Sequence, residues 1–386
     1  MGFGNLFDEG PYKPLFLLRC ALRHSLLWAT WSVRNGARAI YGPRPAVCFT
    51  EMPIAAFLET SRERELRGEA ISTYALLLPK LAMYARGANP VIYGLDDRAA
   101  MLPSGANGQA RIIPSSHLPE REQYRYVTYN PTGKKPIDWT HEREWRWPYP
   151  DDITAYEKEL SEYGVVEDPA DVPHLSLLGD DLHGSGVIVP TDCEARLVAH
   201  DILSLVDRQK VHPKQFEFII RADLVTDLPA IRDPKALEAA LHEATLDLDP
   251  IINGDATARK RLADQFATLV NNVEQAAGAS ELGEFGGCWL WIMDNTHELT
   301  RALLDNGRVE VSNTGRYLVS LWEYSDDRSL QQREQMTVQL AQLIKKKFEV
   351  ECGYFSVLGC DDPNGLPFYC SDHLDNEMYY NKCSRL

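Results

Sequence analysis

Two short segments in the front part of the chain carry residues whose types and spacing suit chemistry. The first is Tyr41-Gly42-Pro43-Arg44-Pro45-Ala46-Val47-Cys48-Phe49-Thr50-Glu51-Met52-Pro53. Prolines on both sides of Arg44 fix the backbone, and Gly42 leaves room for a ligand to approach the main chain. A guanidinium on such a stiff segment suits bidentate capture of a phosphate or carboxylate. The plain alternative is a surface arginine in a proline-rich turn. The second segment is Trp139-Thr140-His141-Glu142-Arg143-Glu144-Trp145-Arg146-Trp147. As a strand, its alternation puts Trp145 and Trp147 on one face and Glu142, Glu144 and Arg146 on the other. Carboxylates lined up beside aromatic rings make a cleft wall in which one of them stabilises developing positive charge. A solvated, salt-bridged strand face is the alternative here.

These residues need elements to hold them. The front half reads as a helix from about Pro14 to Trp28, a strand over Ala46–Phe49 and a helix from Pro53 to about Arg67. Strands are expected at Ile71–Leu78, Pro90–Tyr93, Tyr124–Tyr129 and around Glu144–Trp147. Short strands around few helices predict α+β for this half. Further on, Phe216–Ile220 alternates as a strand, and Asp255 or Thr257 caps a helix whose Leu262, Phe266, Leu269 and Val273 form an apolar stripe, with Gly278 ending it. Then follow a buried strand over Cys288–Met293, a short helix near Glu298–Leu304, strands at Arg308–Val311 and Tyr317–Trp322, a long helix and a strand over Glu349–Leu358. Ser329 with Gln332 forms a capping box for the long helix, and Lys345–Lys347 suit its C-terminal end. The order β-α-β-β-α-β predicts a C-terminal α/β domain of helices packed on a small sheet.

Hydrophobic residues make up 44% and charged residues 25% of the 386, a balance that predicts folded domains throughout, and the length predicts two of them. Net charge is divided unevenly. Residues 1–150 carry 19 Lys and Arg against 14 Asp and Glu, a balance of +5; residues 151–386 carry 21 against 42, a balance of −21. A mildly basic front suits nucleotides or nucleic acid, whereas the acidic rear repels a phosphate backbone and suits a protein partner. The junction is expected between about Pro148 and Ser185, where prolines and acidic residues accumulate. The expected layout is therefore a domain over 1–150, an acidic, proline-containing linker over 151–190 and an acidic regulatory or sensor domain over 191–386. Charges at Arg19, Arg23 and His24 break the apolar run Leu15–Trp31, so neither a membrane span nor a signal peptide is expected, which points to the cytoplasm. Eight cysteines without a CxxC pair predict reduced thiols.

Three segments occur in an order that resembles the AbiGi-type abortive-infection proteins of bacterial phage defence: Arg44–Pro53 (RPAVCFTEMP), Gly87–Tyr93 (GANPVIY) and Glu142–Arg146 (EREWR). More distantly, the Gly-Pro-Arg-Pro turn and the late glutamate followed by an aromatic residue are similar to the DarT-type ADP-ribosyltransferases, toxins that modify nucleic acid using NAD. The resemblance covers about residues 35–150. It implies an ADP-ribosyltransferase-like N-terminal domain with NAD as substrate. Arg44 would steady the pyrophosphate, and Glu144 would face the scissile nicotinamide–ribose bond. Tyr74 would stack on nicotinamide, with Glu142 and His141 as helpers. The Ser-Thr-Ser segment and the opening histidine of that pattern are missing. The AbiGi likeness implies the rival role of a non-enzymatic, antitoxin-like or phage-sensing partner protein.

Near the C-terminus Cys360, Asp361, Asp362, Cys370, Asp372, His373 and Asp375 gather metal-capable side chains, but their spacing matches no common zinc or calcium loop, and no metal is expected. The sequence contains no Walker loop, GxGxxG, HExxH or GxSxG motif, which removes the usual support for ATPase, Rossmann, zincin and hydrolase readings.

Overall fold

A computed structural model of the chain describes residues 13–34, 37–69, 71–94, 111–132, 136–164 and 171–368. It is a mixed α+β protein with several small sheets. Packing divides it into two units, one of residues 1–188 and 222–244, the other of 189–221 and 245–386. Among the described residues no helix is long and apolar enough to cross a membrane.

In the first unit three strands pair antiparallel, with Glu144–Pro148 in the middle between Ala46–Thr50 and Asn89–Pro90. One face of this sheet is apolar: Val47 and Trp147 pack with Met83, Leu175, Leu177 and Leu182, and Phe49 and Trp145 border the same cluster. The helix Ile54–Leu66 follows the first strand as expected. The opening helix is shorter than its pattern suggests, Pro14–His24, because Ser25 turns left-handed (φ 52°) and its N–H bonds the Leu22 carbonyl. Leu26–Trp28 is then a strand paired with His174–Ser176, a partner about 150 positions away that no local periodicity announces.

Other strands contract for a similar reason. Of Ile71–Leu78 only Ala75–Leu77 is a strand, paired through Gly186, Val187 and Ile188. Tyr124–Tyr129 opens inside a 3₁₀ helix, Glu120–Arg125, and only Tyr126–Val127 is extended, parallel to Ile92–Tyr93. The acidic stretch after Pro148 holds the helix Thr154–Tyr163 and the strands His174–Ser176 and Ser185–Val189, so the structure gives it elements where a linker was expected.

The second unit contains the expected β-α-β-β-α-β run. Its strands lie in the order Val309–Val311, Tyr317–Val319, Gly286–Ile292, Cys352–Leu358 and are antiparallel throughout, which makes this part α+β rather than α/β. Leu290, Ile292 and Val319 pack against the helices Ala256–Ala276, Glu298–Asp305 and Leu330–Phe348 through Phe266, Val270, Leu299, Leu340 and Ile344. Asp255 caps the first of these helices, accepting from Thr257 and Ala258 N–H. Its buried stripe is Ala263, Phe266, Val270 and Val273, with Leu262 and Leu269 at the border. The box at Ser329 is half formed. Its hydroxyl accepts from Gln332 N–H, but the Gln332 side chain instead holds Ala279 O and Glu281 N–H.

Cys193 is disulfide-bonded, which corrects the expectation of reduced thiols throughout; Cys20, Cys48, Cys288, Cys352 and Cys360 are in no disulfide.

Candidate functional site

The antiparallel register decides which side chains share a face. Thr50 faces Glu144, Phe49 faces Trp145, Cys48 faces Arg146, Val47 faces Trp147 and Ala46 faces Pro148; Asn89 also sits opposite Arg146. Cross-strand partners point to the same side. Glu144, Arg146, Thr50, Cys48 and Asn89 therefore share one polar face, and the tryptophans project from the other. The indoles are anchored: Trp145 Nε1 donates to Glu51 Oε2 at 2.9 Å and Trp147 Nε1 to Arg86 O at 2.9 Å.

On the polar face Arg146 reaches back to Glu144. Its Nε lies 2.7 Å from Oε1 and its Nη2 3.3 Å from Oε2, while Nη1 donates to the carbonyls of Tyr124 (2.7 Å) and Tyr126 (3.2 Å). The side chains are 6% and 15% exposed. Burial works against the charged guanidinium, but the Glu144 carboxylate and the Cys48 sulfur together outweigh it and raise Arg146 above its usual range. Tyr93 lies close by, its hydroxyl donating to Trp139 O at 3.0 Å. Burial, with the Glu144 and Glu142 carboxylates, pushes this phenol up.

Glu142 does not share the strand. It ends the 3₁₀ turn Thr140–Glu142, and Arg143 turns left-handed (φ 46°) before the strand begins at Glu144. That corrects the expected single face of Glu142, Glu144 and Arg146. Glu142 instead accepts from Arg64 at 3.0 Å. His141 is exposed beside Trp139.

Arg44 is exposed and makes no hydrogen bond or ion pair with a described residue. It stands two positions before Ala46, next to Pro45, whose carbonyl accepts from Tyr149 N–H at 2.9 Å. It is thus six positions in sequence from Thr50, the partner of Glu144, and precedes the strand Ala46–Thr50. Tyr124 stands between: its hydroxyl accepts from Asn89 Nδ2 at 3.3 Å, and it is raised by burial, against which Arg44 acts as a nearby cation. Gly42 does not open toward a ligand. It is buried, and a Cβ there would come within 2.8 Å of Gln123 Cβ.

Tyr74 precedes the strand Ala75–Leu77, which belongs to another pairing and whose Leu76 packs in the tryptophan cluster. The structure therefore gathers Glu144 and Glu142 at one end of the sheet, sets Arg44 toward the other and places Tyr74 beside a different strand. Arg146, Asn89, Tyr93 and Tyr124 were not singled out from the sequence. The alternation that put Arg146 on the face of Glu144 could have identified that partner, and Asn89 and Tyr93 lie within Gly87–Tyr93.

Among the described residues no three His, Cys, Asp or Glu side chains are grouped to hold a metal, and Cys370, Asp372, His373 and Asp375 lie outside those residues.

Residues 255–382, about a third of the chain, match a family described as a protein of unknown function, DUF4427. Comparison with curated proteins and with solved structures finds no match.

Proposed function

We propose that the chain is a cytoplasmic bacterial anti-phage defence protein whose first unit consumes NAD, as an ADP-ribosyltransferase acting on nucleic acid or protein or as an NAD hydrolase. The observation that carries this reading is the β register, which puts the carboxylate of Glu144 on the polar face of a sheet whose strand Ala46–Thr50 begins two residues after the exposed Arg44. On this reading Arg44 grips the diphosphate and Glu144 faces the adjoining nicotinamide ribose.

The chemistry asks little more of the chain. The C1′–N bond breaks, its electron pair leaves with nicotinamide, and the ribose becomes oxocarbenium-like. An oriented carboxylate lowers the cost of that cation. Arg146 fixes the carboxylate rotamer, and Tyr93 is an aromatic ring close to it. Water, or a nucleophile of the acceptor, then attacks C1′ and gives up its proton. Glu142, tied to Arg64, keeps the loop before the strand in place. The acidic rear half acts as regulator or as the surface for a protein partner.

A second reading is favoured by one observation. Both oxygens of Glu144 are already engaged by Arg146. A carboxylate matched in this way also serves as an internal strut, which suits a non-enzymatic, antitoxin-like or phage-sensing partner protein. Incubating the pure full-length chain with NAD and with single-stranded DNA, RNA or cell lysate separates the two. Nicotinamide release that is lost in Glu144→Gln supports the enzyme, and silence with every acceptor supports the partner protein.

A further inference from the structure

The family match begins at residue 255, yet a buried charge inside it is balanced from outside it. Arg301, on the helix Glu298–Asp305, is 4% exposed and donates through Nη1 and Nη2 to the two oxygens of Asp207 at 2.8 and 2.9 Å. Asp207 is the last residue of the helix Asp192–Asp207 and its side chain is 7% exposed. The fully buried Tyr317 donates its hydroxyl to the same carboxylate at 2.5 Å and accepts from Asn295 Nδ2 at 2.8 Å. The contact continues along one stripe of that helix. Asn295 Nδ2 also donates to His200 O at 3.1 Å, the His200 ring Nε2 meets Gly315 O at 2.9 Å, and Arg208, just past the helix, donates to Asn313 O at 3.0 Å.

Burying a guanidinium is tolerated only when an anion and hydrogen bonds replace its water. Among the described residues Asp207 is the anion within ion-pair distance of Arg301. An apolar surface could exchange one covering helix for another, but this surface needs a carboxylate at one fixed point. We infer that the face made by Asn295, Arg301, Gly315 and Tyr317 is a docking surface for a helix ending in an acidic residue. Its obligatory occupant is the helix Asp192–Asp207, so the working unit of the matched region reaches back to include residues 189–221. That stretch is bounded on both sides by segments of the first unit, so the matched region receives its counter-ion from a strap rather than from its own sequence.

The test uses the full chain and hydrogen exchange over 295–319, in wild type, Asp207→Ala and the double variant Asp207→Leu with Arg301→Met. The single variant is expected to speed amide exchange in Glu298–Asp305 and Tyr317–Val319 tenfold or more. The double variant, which removes both charges and keeps apolar bulk, is expected to return exchange toward the wild-type rate. Unchanged exchange in Asp207→Ala would overturn the inference. So would a double variant no better protected than the single one, including the case where the single variant does not fold and the double variant does not rescue it.

Discussion

Arg146 holds Glu144 with two nitrogens while its third nitrogen is fixed by the carbonyls of Tyr124 and Tyr126, so the carboxylate that the chemistry would use is also the end of an internal tie. The two residues face the same way because they are two apart on a strand, and the tie is short because burial leaves the guanidinium no water.

Removing one member of this pair leaves the other buried and unmatched. Arg146→Met is expected to cost about 3–5 kcal/mol in unfolding free energy. Glu144→Gln keeps an acceptor oxygen for Arg146 and is expected to cost less. Urea denaturation of both variants checks the order, and equal stability of Arg146→Met and wild type would mean the tie is not formed in solution.

Arg44 should behave in the opposite way. Exposed and unpaired, it has nothing to lose on folding, so Arg44→Ala is expected to shift stability by no more than about 0.5 kcal/mol. Its effect should fall on ligand binding, read as weakened NAD affinity by calorimetry. An NAD affinity equal to that of wild type would remove the guanidinium from the site.

How much of this was legible before folding follows from the range of each interaction. The strict alternation of Glu144, Trp145, Arg146 and Trp147 identified a strand and its two faces correctly, since period two is a local property. The apolar recurrence around Phe266 and Val273 likewise located the long helix. What failed depended on distant partners or on one dihedral. Glu142 leaves the strand because Arg143 turns left-handed, and the end of the first helix depends on pairing with residues 174–176. The carbonyls that fix Arg146 come from residues about twenty positions away, where the sequence looked like a continuous strand. Gly42 read as a ligand approach because its missing side chain was visible and Gln123, which fills that space, was not.

Gly42→Ala is accordingly a packing test. With φ at +85° and Gln123 Cβ 2.8 Å from the added carbon, it is expected to destabilise the protein by about 1–3 kcal/mol. Thermal unfolding measures this. A melting temperature equal to that of wild type would show that the turn before Arg44 does not rest on Gln123.

In the second unit Glu334 sets a pH dependence. It is buried on the helix Leu330–Phe348, accepts from Ser356 Oγ at 2.5 Å and makes no ion pair among the described residues. Burial raises its carboxyl above the ordinary value, with Glu284 adding to that and Ser356 and Arg333 opposing it. The folded state therefore holds the proton more tightly than the unfolded one. Its stabilising contribution is complete below the unfolded value near 4.5 and is lost as pH rises through the folded value. Glu334→Gln, which cannot ionise, should match wild type at acid pH and exceed it increasingly toward neutral pH in paired denaturation curves. A difference that does not change with pH would contradict this.

The central claim is that the polar sheet face between Arg44 and Glu144 breaks the nicotinamide–ribose bond. Nicotinamide release by the purified full chain with NAD and its acceptors, compared across wild type, Glu144→Gln and Arg44→Ala, tests it most directly. Release by wild type is expected, with at least a hundredfold less from folded Glu144→Gln and a rise in the NAD concentration required by Arg44→Ala. Release that persists unchanged in folded Glu144→Gln, or none from wild type with any acceptor, would contradict it.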